Sequence, residues 1–247
     1  MTSSGARKRN AIPYKRIVLK LSGEAFENRE TGLSVDPGRT AGIARRVRTV
    51  RRKGVQIAIV VGGGNIFRGA SGQMRGIERT TGDTMGMLAT VINGLALQDA
   101  LEKAGVETRL QTAIEMREVA EPFIRRRAIR HLQKGRVIIF AAGTGNPFFT
   151  TDTAAALRAS EISANALLKA TKVDGIYSED PIKNPEARRY DKITYQEAIT
   201  RGLRIMDASA FSLCMENSIP IVVFNFFKTR TFENVTTGKR VGTLVCK

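Results

Sequence analysis

Residues that could bind phosphate are concentrated in one short loop, residues 143–153 (GTGNPFFTTDT). The apolar run before it, residues 136–142, predicts a buried strand, and the alanine-rich run after it, residues 154–162, predicts a helix. Such a junction directs backbone N–H groups and a helix dipole towards one point, which favours an anion. Capping the helix requires one side chain, Asp152 or Thr151, but the loop holds several hydroxyls besides. The pattern favours a phosphate-binding loop over an ordinary turn.

Two further turns carry residues suited to phosphate. Lys20 lies near the end of an apolar run, residues 16–21, where a charged side chain is costly unless it has an anionic partner. A second predicted strand, residues 56–61, leads into a run of glycines, and Arg68 follows at a distance suited to gripping phosphate oxygens. In open α/β sheets, ligands bind at the carboxyl ends of the strands. The alternative for the second turn is a flexible loop with a surface arginine.

The order of predicted elements defines the fold class. Strands alternate with helices along the chain, which predicts a mostly parallel central sheet between two helical layers, a three-layer αβα sandwich. Residues 1–13 predict a flexible basic tail, and residues 14–247 a single domain. A long apolar helix is expected over 80–105. Asp83 lies near its start and could either cap the helix or bind a ligand. A basic helix is expected over 121–133, and its only histidine, His131, is predicted to lie on the surface.

Composition excludes some classes of protein and leaves others open. The chain of 247 residues has 42% apolar and 26% charged residues, typical of a globular protein. Its longest apolar runs are shorter than a membrane span, its first residues do not resemble a signal peptide, and its two cysteines lack metal-ligand spacing, so a cytoplasmic location is expected. The net charge of +17 suits nucleic acid or phosphorylated small molecules. Aromatic residues interleaved with basic ones, which would stack on bases, are missing.

Familiar phosphate-binding templates are absent: neither G-x-x-x-x-G-K-[ST] nor G-x-G-x-x-G occurs in the glycine-rich turns. A different set of motifs occurs in order, at residues 20–24, 62–69, 82–90, 143–153 and 169–175. Together they closely resemble the amino acid kinase family, in particular its bacterial uridylate kinases. The resemblance covers nearly the whole chain, and its most specific parts are G-T-G-N-P-F-F-T-T-D and G-D-T-M-G-M-L-A-T. It implies transfer of the γ-phosphate of ATP to UMP, giving UDP and ADP for pyrimidine nucleotide synthesis.

The resemblance also implies a role for each matching position. Catalysis would rest on Lys20 and Arg68, which stabilise the moving phosphoryl group, and on Asp152, which orients the lysine or the shell of a Mg²⁺ ion bound to ATP. Contacts to ATP are expected at Lys20, Leu21, Ser22, Gly23, Gly64, Arg68, Thr171, Tyr177 and Asp180. Contacts to UMP are expected at Gly63, Asp83, Thr144, Gly145, Asn146, Pro147, Phe148, Phe149, Thr150 and Thr151. Lys169, Lys172 and Asp174 belong to the same motifs without a defined role, and the metal ligands are open.

Assembly and regulation are implied in the same way. The resemblance implies a homohexamer that is inhibited by UTP. The apolar helix over 80–105 suits a subunit interface in such an assembly. Gln98 and Glu102 stand where several relatives carry basic residues for GTP, which puts GTP activation in doubt. Two alternatives are kept: a kinase of the same family acting on a carboxylate or carbamate, and a basic nucleic-acid-binding module.

Overall fold

The computed structural model describes residues 14–67, 76–181, 183–203 and 205–247. The predicted tail, residues 1–13, and Arg68 lie outside the described residues. The strands are β1 Arg16–Leu21, β2 Gln56–Val61, β3 Thr108–Thr112, β4 Glu121–Pro122, β5 Val137–Ala141, β6 Ala166–Thr171, β7 Ile176–Tyr177, β8 Arg189–Tyr190, β9 Lys192–Thr194, β10 Ile221–Asn225 and β11 Thr243–Cys246. The helices are α1 Pro37–Arg51, α2 Arg79–Lys103, α3 Arg125–Gln133, α4 Thr151–Glu161, α5 Tyr195–Thr200, α6 Ala208–Glu216 and α7 Thr231–Thr236.

A nine-stranded sheet forms the middle layer, in the order β4-β3-β5-β2-β1-β6-β10-β11-β9. Neighbouring strands are parallel except for β10 and β11, which are antiparallel. Strands β7 and β8 form a separate two-stranded antiparallel ribbon. The prediction of a mostly parallel sheet is confirmed.

Helices cover both faces of this sheet, because successive side chains of each strand point to opposite sides. On β1, Ile17 and Leu19 pack into a core shared with α1, α2 and α7, whereas Val18 packs into a core shared with α3, α4, α5 and α6. Both cores are built of buried aliphatic and aromatic side chains, and fully burying a Val, Leu, Ile, Phe or Met side chain stabilises a fold by about 1.5–3 kcal/mol. The predicted three-layer sandwich is therefore confirmed.

The strand register places two lysines side by side. Lys20 of β1 is the direct partner of Lys169 of β6 in the parallel ladder. Each follows a residue of the α1 side in its strand, Leu19 and Leu168, so both lysines lie on the α4 side. Both are close to the carboxyl ends of their strands, where α/β sheets bind ligands.

The region 121–133 differs from the single helix that the sequence predicts. Glu121–Pro122 forms an edge strand beside β3, and α3 begins only at Arg125. The prediction of a surface histidine is wrong, since His131 is 9% exposed and its ring nitrogens lie 3.1 Å from Glu121 Oε2 and 3.0 Å from Arg136 Nη1. The reason is that α3 is amphipathic and His131 falls on its inner face, beside Leu132. Among the described residues, no helix has the length and apolarity needed to cross a membrane.

Candidate active site

One carboxylate bridges the two adjacent lysines on the α4 side of the sheet. Lys20 Nζ lies 2.8 Å from Asp152 Oδ1, and Lys169 Nζ lies 2.6 Å from Asp152 Oδ2. The three side chains are only 11%, 17% and 13% exposed for Lys20, Lys169 and Asp152, respectively. Lys169 Nζ also donates to the backbone oxygen of Ile205 at 2.6 Å. The cluster holds two ammonium groups and one carboxylate, so it keeps a net positive charge at the N-terminus of α4.

The protonation of this cluster follows from its burial and its charges. Burial alone would favour neutral Asp152, but the two ammonium groups outweigh it and hold the pKa of Asp152 below its usual range. For Lys169, burial and the neighbouring Lys20 prevail over the attraction of Asp152, so the pKa of Lys169 is lowered. Lys169 therefore loses its proton at a lower pH than a free lysine.

The cap of α4 frees Asp152 for this role. Thr150 is the N-cap, and its hydroxyl accepts from the N–H groups of Asp152 at 3.0 Å and Thr153 at 3.4 Å. The prediction that Asp152 or Thr151 caps the helix is wrong by one or two positions, because several hydroxyls in a row leave the first helical residue open. With the cap supplied by Thr150, the Asp152 carboxylate turns towards the strand ends.

Asp207 supports the same loop from the next helix. Its carboxylate accepts from Ala210 N at 2.8 Å, which caps α6, and from Thr153 Oγ1 at 2.9 Å, and it also accepts from the Thr150 hydroxyl. The sequence does not point to these contacts of Asp207 with the loop, because an aspartate directly before a helix indicates only a helix cap. Lys169 was likewise left without a role, although a lysine in an apolar strand is the signal that singled out Lys20.

The first of two cavities at the strand ends has a volume of about 320 Å³ and lies between α2 and the loop 143–150. Residues expected to contact UMP that line it are Gly63, Asp83, Thr144, Asn146, Phe149, Thr150 and Thr151. Gly64, which was expected to contact ATP, lines the same cavity. Gly145, Pro147 and Phe148 belong to the loop but do not line this cavity, and Phe148 is 63% exposed.

Asp83 fastens the loop to α2 and is not a helix cap. Glu78 is the N-cap, and its carboxylate accepts from the N–H groups of Thr80 and Thr81 at 3.2 Å each. Asp83 Oδ2 instead accepts from Arg79 Nε at 2.7 Å and from the backbone N–H of Phe148 at 2.8 Å. Of the two roles that the sequence left open for Asp83, the cap is excluded.

The second cavity, of about 790 Å³, lies beyond the end of β6. Thr171, Tyr177 and Asp180, all expected to contact ATP, line it together with Lys169. The Tyr177 hydroxyl donates to Asp174 Oδ1 at 2.6 Å, and this carboxylate raises the pKa of Tyr177. Lys169 therefore connects the second cavity with the cluster around Asp152.

The turn after β1 packs closely against the glycine turn after β2. A Cβ atom on Gly23 would lie 2.7 Å from Gly64 N, and one on Gly63 would lie 2.8 Å from Gly86 O. Leu21 contributes its backbone oxygen, which accepts from Gly62 N at 2.8 Å, and its side chain is buried. The close packing alone requires glycine at these positions, whatever ligand they bind. A Cβ atom on Gly62 would also lie 3.4 Å from the backbone of Ser22, so Ser22 is part of the same close contact.

The described residues do not offer a protein site for a bare metal ion. They contain no group of three or more His, Cys, Asp or Glu side chains that could hold one, and both oxygens of Asp152 face ammonium groups. Magnesium in phosphotransfer sites is commonly held by one or two carboxylates together with the substrate phosphates. The part of the chain that the structure describes therefore fits a metal that arrives bound to a nucleotide better than a preformed metal cage.

The parallel sheet, the buried cationic cluster and the two cavities at the strand ends define an α/β phosphate-binding protein without a P-loop. The family model described as "Amino acid kinase family" matches residues 15–225. The chain belongs to the amino acid kinase family.

Solved structures resemble the chain over almost its whole length. The UMP kinase of Bacillus anthracis is 39% identical, with 95% of this chain and 96% of that chain covered and a TM-score of 0.92. The UMP kinase of Ureaplasma parvum is 38% identical, with 94% and 99% covered and a TM-score of 0.89. The uridylate kinase of Archaeoglobus fulgidus is 28% identical, with 93% and 99% covered and a TM-score of 0.71.

Proposed function

We propose that the protein is a UMP kinase, which transfers the γ-phosphoryl group of ATP to UMP and supplies UDP for pyrimidine nucleotide synthesis. The observation that carries this proposal is the cluster of Lys20, Asp152 and Lys169. Lys169 lines the larger cavity, and Asp152 directly follows Thr151 of the smaller one. Two nucleotides bound in these cavities would meet at the cluster.

The chemistry requires positioning and charge neutralisation rather than a general base. A phosphate oxygen of UMP is already anionic and forms the new bond to the γ-phosphorus, while the bond from this phosphorus to the bridging oxygen of ADP breaks. The electron pair of that bond leaves with ADP. The ammonium groups of Lys20 and Lys169 would stabilise the charge spread over the transferring group, and Asp152 would hold both in place. Asp152 is thus a positioning residue.

We assign UMP to the smaller cavity. Its loop offers the hydroxyls of Thr144, Thr150 and Thr151 and the amide of Asn146, and Asp83 supplies a charged acceptor at the rim. Pro147 and Phe148 shape the loop from outside, and Gly145 has a φ of 83°, a conformation that glycine adopts readily. The smaller volume suits the acceptor, and the larger cavity suits ATP.

ATP would occupy the larger cavity with its phosphates directed towards Lys20. Thr171, Tyr177 and Asp180 would contact its nucleoside, and Leu21, Ser22 and Gly23 its phosphates together with Gly64. Arg68 keeps its expected role at the γ-phosphate as a proposal. A Mg²⁺ ion bound to ATP would neutralise phosphate charge, and no protein ligand is assigned to it.

We also propose that the enzyme is a homohexamer. Helix α2 exposes a row of large apolar side chains at helical spacing, Met85, Leu88, Ile92 and Leu95, each at least 39% exposed. A second copy of the chain would cover this row. Inhibition by UTP belongs to the same proposal, whereas Gln98 and Glu102 leave activation by GTP in doubt.

Two further assignments complete the proposal. Residues 14–247 would form a single domain, which is supported by the nine-stranded sheet, because it contains both the first strand, β1, and the last, β11. The enzyme would work in the cytoplasm, where Cys214 and Cys246 remain free thiols. Burial raises the pKa of Cys214 to about 12, which leaves this thiol unreactive.

The test is ADP release by the purified protein with Mg·ATP and one acceptor at a time: UMP, CMP, dUMP or acetylglutamate. We expect turnover with UMP, its loss in Lys20→Ala, and native turnover in Lys103→Ala, which removes an exposed lysine from α2. Turnover with acetylglutamate alone would identify a carboxylate kinase. No turnover with any acceptor, together with salt-sensitive nucleic-acid binding, would favour the basic binding module instead.

A further inference from the structure

A third cavity, of about 620 Å³, lies on the opposite side of the sheet from the lysine cluster, between α1 and the segment from β10 to α7. It shares no lining residue with the other two cavities, as far as the described residues show. Its volume falls within the range of roughly 300–1,000 Å³ that is typical of small-molecule sites. The cavity therefore has the size of a separate binding site.

The lining of this cavity combines an apolar floor with a cationic rim. The floor contains Ala25, Ile43 and Phe226, which are buried at 3%, 3% and 2% exposure, and Phe227 stands at the edge with 46% exposure. The Phe226 and Phe227 rings meet edge to face, with their centroids 6.0 Å apart, so it is the exposed Phe227 ring that offers an apolar surface to an aromatic or aliphatic body. The rim carries the arginines Arg39, Arg45, Arg46 and Arg230.

One of these arginines, Arg46, forms an ion pair within the cavity wall. Arg46 Nη2 lies 3.2 Å from Glu233 Oε2, and its guanidinium stacks over the Phe226 ring at 4.4 Å. Glu233 is the one acidic residue of the cavity wall, again within the described part of the chain. Arg39, Arg45 and Arg230 have no acidic partner within 4.0 Å among the described residues. Asp36 and Arg39 attract each other at longer range, so the guanidinium groups of Arg45 and Arg230 are the ones in the rim without an acidic neighbour among the described residues.

We propose that this cavity binds a small phosphate monoester with an aromatic or aliphatic body. Guanidinium groups bind phosphate oxygens in pairs through charge-assisted hydrogen bonds. A phosphate monoester carries nearly two negative charges at neutral pH, which matches the two unpaired arginines, Arg45 and Arg230, better than the one charge of a carboxylate does. Its body would lie against the exposed ring of Phe227, while Arg46 stays stacked over Phe226 and paired with Glu233.

The experiment uses 1-naphthyl phosphate as the probe. Two comparison compounds separate its parts: 1-naphthol has the aromatic body without the phosphate, and inorganic phosphate has the charge without the body. Isothermal titration and naphthyl fluorescence would measure binding to the native chain, to Arg45→Ala/Arg230→Ala and to Phe227→Ala. The matched control is Arg52→Ala/Lys53→Ala, which removes the same charge from exposed residues next to α1 that do not line the cavity. Thermal melting would verify that each variant is folded.

We expect the double arginine variant to bind the probe at least about thirtyfold more weakly, since each lost charge-assisted contact costs about tenfold. Phe227→Ala should weaken binding of the probe but leave binding of inorganic phosphate unchanged. The control variant should bind both compounds as tightly as the native chain does. Equal losses in the control would attribute binding to bulk charge and overturn the proposal. Unchanged binding in Arg45→Ala/Arg230→Ala, or no binding to the native chain at millimolar probe, would also overturn it.

Discussion

Replacing Asp152 by asparagine tests whether one carboxylate holds both lysines. The substitution keeps the size of the side chain but leaves two buried ammonium groups without a counter-charge. Removing one partner of a buried ion pair costs about 3–5 kcal/mol. We expect the free energy of unfolding of Asp152→Asn to fall by that amount at pH 7. Turnover should fall by about 100-fold or more, because the lysines lose their fixed positions.

The control is Asp99→Asn, which removes an ion pair of the same length from the surface. Lys103 Nζ lies 2.6 Å from Asp99 Oδ2, but these side chains are 76% and 61% exposed. Such a pair within one helix contributes about 0.5 kcal/mol or less. The two variants thus compare equal geometry in buried and exposed surroundings. Urea unfolding at fixed protein concentration, followed by circular dichroism, would measure both.

The pH dependence gives the test a second, independent result. Because the folded-state pKa of Asp152 is lowered, its contribution is fully present above its ordinary value of 3.8 and is lost as pH falls through the lower folded value. The difference between the native chain and Asp152→Asn should therefore be constant from neutral pH down to about 5. It should narrow in more acidic solution. Equal stability of Asp152→Asn and the native chain at pH 7 would refute the bridging role.

Three more results are expected from the same structure. The value of kcat should fall on the alkaline side of its pH profile at a pH below 10.5, the ordinary pKa of lysine, because the rate needs charged Lys169. In Lys169→Arg this fall should move to higher pH. An unchanged profile would exclude Lys169 as its origin. Asp83→Asn should raise the KM for UMP about tenfold and leave the KM for ATP unchanged; equal changes in both would indicate a general structural defect. Leu88→Glu/Ile92→Glu should yield smaller assemblies by light scattering, whereas Leu33→Glu, equally exposed elsewhere, should not; an unchanged mass in the α2 variant would move the interface off this helix.

The layers of the fold were predictable because they depend on local patterns. Buried β-branched runs and amphipathic stretches predict strands and helices, and their alternation predicts a parallel sheet. Helix starts were less predictable, since adjacent hydroxyls compete for one cap, and Thr150 holds it where Asp152 or Thr151 was expected. His131 was misplaced because the side of an amphipathic helix that faces the core depends on packing partners distant in the chain.

The candidate site was predictable in its parts but not in its connections. The cost of burying Lys20 indicates an anionic partner without identifying it, and only the family resemblance points to Asp152, as a residue that orients this lysine or the shell of a metal ion. The structure places Asp152, from a helix far along the chain, 2.8 Å from Lys20 Nζ. That Lys169 lies beside Lys20 depends on the strand register, which a single sequence does not reveal. The contact between Asp83 and the backbone of Phe148 was not predictable either, because every residue except proline has a backbone N–H and the sequence does not show which one a carboxylate binds.

The charge balance of the lysine cluster explains how one site serves both folding and phosphate binding. Two buried ammonium groups without Asp152 would destabilise the sheet, whereas two carboxylates would cancel the charge that attracts phosphate. One carboxylate contacts both lysines, and Asp207 attracts Lys169 from farther away, so the groups in direct contact keep a positive balance in surroundings that water and salt screen poorly. The many surface arginines behind the net charge of +17 do not replace it, because exposed charges are screened over about 8 Å at physiological salt. Under the proposed function, surface charge would therefore act on the approach of anionic nucleotides, and the buried cluster would act on the phosphoryl group that moves between them.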